Sequence, residues 1–172
     1  HFDFFGMLDG VEVVELDHGI QFQGVQTRPL GLQVNGRIGF SDTHPFLAHF
    51  RALADATAAT GATPKFTIPA PTVFDFRLEP AGITTGLYAD RDALVPDLVQ
   101  AYRDAVQAFY DAGCRYLQFD DTAWAYLCSP EELEKAAARG IRTEGIGERY
   151  SAMLNAILEA KPADMTITTH VC

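Results

Sequence analysis

Basic side chains are few in this sequence. Thirteen Lys and Arg stand against 23 Asp and Glu, a formal net charge of −10 over 172 residues. Nucleic acids and anionic membranes draw affinity from Lys and Arg contacts that release counterions, so neither is expected as a partner. Cysteine is scarce too: Cys114, Cys128 and Cys172 are too few and too scattered for a disulfide framework, which predicts a reducing, cytoplasmic setting. No run approaches the roughly 18 apolar residues of a membrane span, and the N-terminus lacks a basic stretch followed by an apolar one. Internal repeats, low-complexity stretches and composition shifts are also missing. What remains is 48% hydrophobic and 21% charged, enough for the core of one compact domain, and the acidic balance does not exclude a small polar ligand.

Periodicity predicts the elements. Phe46, Leu47, Phe50, Leu53 and Ala54 recur at helical spacing between Pro45 and Thr60, behind Thr43-His44-Pro45 and ahead of Gly61. "KFTIP" reads as a short strand, and Pro69 and Pro71 turn it into a long loop from Thr72 to Tyr88. A stronger helix is predicted from about Asp90 to Ala112, with Gly113 at its end, followed by the strand "RYLQFDD". Ser129-Pro130 opens another helical stretch, Thr143 to Ala160 a further one, and "MTITTHVC" a last strand. Alternating strands and helices predict parallel βαβ units. Upstream, "GIQFQGVQTRPLGLQVNGRIGF" reads as strand, turn and strand, with Asn35-Gly36 as a tight turn.

Residues along a strand alternate between its two faces, which decides where the acids point. Leu117 and Phe119 share the apolar side and Gln118 and Asp120 the polar one; Ile167 and Val171 oppose Thr168, His170 and Cys172; Phe66 and Ile68 oppose Lys65 and Thr67. A doubly wound sheet is covered on both faces and reads apolar throughout, whereas a barrel carries polar groups on its inner face near the C-terminal rim. The fold class expected is α/β, a partial (β/α)8 TIM-type barrel. A whole barrel takes about 250 residues. The chain opens on His1 and closes on a strand with no helix after it, so residues 1–172 are expected to form an incomplete catalytic barrel domain, with central strands and helices but without the N-terminal and C-terminal barrel elements.

His170 and Cys172, two positions apart on one strand face, offer imidazole nitrogen and thiolate sulfur, a donor pair suited to zinc. The plainer reading is a hydrogen-bonded core histidine beside a buried thiol. Their place at the end of a barrel strand, on the same side as Asp120, favours the metal. Cys128 is either a third ligand or a packed thiol, and Cys114 belongs at the opposite end of the strands. Asp121 is read as a cap or turn residue or a substrate contact, and Trp124 and Tyr126 either line a pocket or pack the loop. His18, His44 and His49 have no partner evident from spacing.

"GCRYLQFDDTAW" and, some fifty residues on, "TITTHVC" resemble the cobalamin-independent methionine synthases, in particular their short single-barrel relatives; "HFDFFGMLDGVEVVELDHGIQFQGVQTRPLGLQV" and "ATPKFTIPAP" fit the same relatives, so the resemblance spans essentially the whole chain. It implies a zinc ion on the barrel's C-terminal rim, held by His170 and Cys172 with a Glu and a Cys from later strands. It implies transfer of a methyl group to homocysteine from a methyltetrahydrofolate-type donor, with Asp120 holding the substrate's amino group and the general acid beyond Cys172; Asp121 and Trp124 are candidate substrate contacts by their place just after Asp120. A methyl-delivering partner protein is compatible with it. The sequence departs from the longer enzymes in having Asp121-Thr122 in place of Glu-Pro, no folate-associated Trp near Phe74 to Phe76, and Tyr126 in place of a folate-contacting Glu. An epoxyalkane:coenzyme M transferase-like protein and a non-catalytic module on the same barrel are the competing expectations.

Overall fold

Period-two and period-3.6 patterns alternate along the chain, and the backbone follows them. In a computed structural model, which describes residues 1–17, 24–25 and 27–171, the elements run α1 (Phe2–Phe5), β1 (Asp9–Glu15), β2 (Leu30–Gly39), α2 (Pro45–Thr57), β3 (Lys65–Pro69), α3 (Pro71–Arg77), α4 (Val95–Asp111), β4 (Tyr116–Asp120), α5 (Ala123–Leu127), α6 (Pro130–Ala138), α7 (Ile146–Leu158) and β5 (Thr166–His170). Strands β3, β4 and β5 form a parallel sheet in that order, and β1 and β2 form a separate antiparallel pair. This is a mixed α/β fold, and the described strands do not close into a barrel.

The parallel sheet has the facing that its alternation predicts. Lys65, Thr67 and Pro69 lie opposite Tyr116, Gln118 and Asp120, which lie opposite Thr166, Thr168 and His170. On the other side Ile68, Leu117 and Phe119 are buried, with Phe66 and Ile167 packed against the core. α4 joins β3 to β4 and packs against α7, which precedes β5. Leu98, Tyr102 and Phe109 of α4 are fully buried, each side chain contributing about 1.5–3 kcal/mol by leaving water. The Tyr102 hydroxyl donates to the Pro69 carbonyl at 2.6 Å, tying α4 to the end of β3.

Three sequence expectations change. Thr72 to Tyr88 does not run as an open loop, because Pro71, which lacks an N–H, occupies the first turn of α3, where that donor would have no partner. The helix expected from about Asp90 begins at Val95 for the same reason, with Pro96 in its first turn and a tight 3-10 turn, Asp92–Leu94, before it. Asn35-Gly36 is no hairpin turn: it lies inside β2, in the irregularity between Val34 and Gly39 where the pairing with β1 shifts, and the sequence pattern did not reveal that partner. Gly36 instead faces Gly10, where the register shifts and the backbone turns left-handed at φ 72°. The strand expected just after Gly19 falls largely outside the described residues, as does His18.

Candidate functional site

The C-terminal ends of β3, β4 and β5 meet at one rim. The Asp120 carbonyl accepts from the Ala70 N–H at 3.0 Å, and the His170 carbonyl from the Asp121 N–H at 2.9 Å, so the parallel ladder continues to the last residue of each strand. Register places Asp120 beside His170, and the two side chains, on the polar face, join: His170 Nδ1–H donates to Asp120 Oδ1 at 2.6 Å. The second carboxylate oxygen is also engaged, by His1, whose Nε2–H donates to Asp120 Oδ2 at 2.8 Å. The side chains of Asp120, His1 and His170 are 28%, 29% and 47% exposed, open enough for a ligand to reach them. His1 is the residue that sequence reasoning missed, since nothing in spacing relates positions 119 residues apart.

Asp121 goes the other way. It is fully buried, with Oδ1 accepting from the Thr72 hydroxyl at 2.6 Å and Oδ2 from the Trp124 indole N–H at 2.7 Å. Burial pushes its carboxyl above the usual carboxylate range, and the Thr72, Trp124 and Ala123 donors pull it back. Oδ1 thus ties the end of β4 to α3, and Oδ2 holds α5 to the same point. Trp124 packs edge-on against Tyr150, and Tyr126 stacks on Phe76 while its hydroxyl accepts from Arg77, so both rings pack the loop.

Cys114 is buried immediately before β4, at the opposite end of the sheet from Asp120, its thiol pushed up by burial. Cys128 is exposed just past α5. Cys172 lies outside the described residues, among which no three His, Cys, Asp or Glu side chains gather to hold an ion. The donor chemistry nonetheless fits zinc at His170. A carboxylate on one ring nitrogen is how metal-binding histidines are oriented and their tautomer fixed, and Asp120 stands in that relation to Nδ1.

A second polar cluster was not foreseen. Asp75 of α3, largely buried, accepts from Arg91 Nε at 3.1 Å and from the Tyr150 hydroxyl at 2.9 Å. It borders a cavity of about 480 Å³ between α4 and α7, walled by Val95, Val99 and Met153; Asp120, Asp121 and His170 do not line it.

A parallel sheet with an Asp–His pair on its C-terminal rim invites comparison with known proteins. A Listeria monocytogenes protein of known structure, provisionally named a vitamin-B12-independent methionine synthase, superimposes with a TM-score of 0.76 at 39% identity, over 100% of this chain and 45% of its own. This chain is similar to it throughout. The B12-independent methionine synthase of Shewanella sp. W3-18-1, in complex with selenomethionine, shares the fold at a TM-score of 0.64 and 16% identity, over 99% of this chain and 42% of its own. The uncharacterized Bacillus subtilis (strain 168) protein YxjG is 42% identical over 173 residues, which cover 100% of this chain and 44% of YxjG. The chain therefore spans less than half the length of these relatives. No protein-family model matches it. Among the described residues no helix is long and apolar enough to cross a membrane.

Proposed function

We propose that the chain belongs to the cobalamin-independent methionine synthase family, that residues 1–172 are part of its (β/α)8 barrel, and that it carries half of a zinc–thiol site. The reaction is methyl transfer to homocysteine from a methyltetrahydrofolate-type donor. The observation that carries this reading is the 2.6 Å contact between Asp120 and His170 on adjacent parallel strands. Likeness over the full chain to the Listeria protein supports it.

His170 and Cys172 would hold the metal, with the remaining ligands supplied from outside this chain. Zinc, when bound, makes a coordinated thiol a thiolate near neutral pH and so a competent nucleophile. The departing amine of the methyl donor would take its proton from a general acid outside residues 1–172, and the chain's own groups bind and orient the thiol substrate. Asp120 holds the substrate ammonium by a charge-assisted hydrogen bond; an ionised carboxylate has about four acceptor positions, so two imidazoles leave room for it. Asp121 and Trp124 support Asp120 from behind, holding the segment after β4 in place through their mutual hydrogen bond.

The test is metal and thiol analysis of the full-length protein. Cys172→Ser is expected to lose zinc, and equal zinc in the variant and the parent would remove Cys172 from the site. Asp120→Ala is expected to weaken homocysteine binding about tenfold or more, the worth of one hydrogen bond to a charged group. Thiol affinity unchanged by that substitution would contradict the assignment, and a preference for coenzyme M over homocysteine would redirect it to the related transferases.

A further inference from the structure

We propose that His1 is a positioning residue of this site, fixing the Asp120 carboxylate for an amino-bearing thiol; the proposal rests on the function just given. His1 stands at the start of α1, where its carbonyl accepts from the N–H groups of Phe4 and Phe5 at 3.0 and 3.1 Å. Its ring lies 6.3 Å from that of Phe5, which is fully buried and meets Phe74 of α3 edge-on at 5.3 Å. The imidazole is therefore carried by a part of the chain locked into the core, and its Nε2 reaches across to Asp120 Oδ2.

This second contact changes what Asp120 can do. A carboxylate held at one oxygen still pivots about its Cβ–Cγ bond, and an incoming ammonium would have to arrest that motion. With His170 on Oδ1 and His1 on Oδ2, the carboxylate plane is set before the ligand arrives. Preorganisation of this kind removes an ordering penalty from binding. The two imidazoles also come from opposite ends of the chain, so α1 and β5 are tied to β4 at the same atoms that meet the substrate. The benefit is confined to ligands that use Asp120. A thiol with no ammonium gains nothing from His1, which makes the residue a determinant of specificity for amino-thiols.

The experiment compares the full-length protein with His1→Phe, His1→Ala and His1→Gln. Dissociation constants are measured for homocysteine and for 4-mercaptobutanoate, which is homocysteine without its amino group, together with zinc content. His1→Phe keeps the ring and loses the donor; His1→Ala serves if the larger ring does not fold. Either is expected to weaken homocysteine about tenfold, the equivalent of roughly one charge-assisted hydrogen bond, with 4-mercaptobutanoate affinity and zinc content held. His1→Gln, whose amide N–H also donates, is expected to recover most of the loss. Equal weakening of both thiols, or none of either, overturns the role of His1 while leaving the proposed function standing. A parent protein that binds neither thiol overturns both.

Discussion

His44 illustrates how a single ring sets a pH response. Its Nδ1 accepts from the Phe46 N–H at 3.2 Å, capping α2, and its Nε2–H donates to the Phe4 carbonyl at 3.1 Å. It stacks on Phe40 at 4.9 Å. An imidazole that accepts at one nitrogen and donates at the other is neutral, and burial, aided by His49 and opposed by the Phe4 carbonyl and Asp9, lowers its pKa below 6.5. The unfolded chain then binds the proton more readily. Stability from this residue is complete above about 6.5 and declines as the pH falls toward the depressed folded value. The urea midpoint should drop between pH about 7.5 and 5.5, and His44→Gln should flatten that drop; the same slope in both would exclude His44 as its source. The sequence left this histidine without a partner because Phe4 lies forty positions away. Asp120 and Asp121 were easier to separate. Strand alternation sends Asp120 to the polar face, but only the position of α3 shows that Asp121 meets Thr72.

At the scale of elements, the β1–β2 pair depends on one glycine. Gly10 has φ 72°, and a Cβ there would strike the Arg37 carbonyl oxygen and the Gly36 backbone, the latter at 2.6 Å. Left-handed backbone disfavours any side chain, and backbone atoms have no rotamer by which to move aside. Gly10→Ala is expected to lower stability by about 1–3 kcal/mol, read from urea unfolding. A loss no larger than a surface substitution gives would mean that the bulge relaxes freely. The Asn35-Gly36 pair misled because its composition matches a tight turn, and a long antiparallel partner overrode that local preference. The parallel strands were legible for the opposite reason. Each carries its own apolar row, and burial of that row, with Phe66 and Phe119 against Phe109 and Tyr102 of α4, leaves one register possible.

For the molecule as a whole, β3 and β5 are the edge strands of a three-stranded sheet among the described residues, and the rim joins His170 to Asp120, so that the zinc site proposed above would draw only part of its ligands from this chain. The 172-residue chain by itself is therefore expected to bind zinc far more weakly than the full-length protein, as a metal-chelator titration would read; equal affinity would show that the chain supplies the whole site. Alternation of apolar and polar residues, helix-start prolines and the spacing of His170 and Cys172 are written in the sequence, because they act between neighbours. They determined the α/β class, the three parallel strands and the face that Asp120 and His170 share. What only the tertiary structure decided are the contacts between distant segments: His1 on Asp120, Asp121 on Thr72, and Asp75 between Arg91 and Tyr150. Such pairings form when packing brings together residues dozens of positions apart, and no local periodicity encodes which of them will meet.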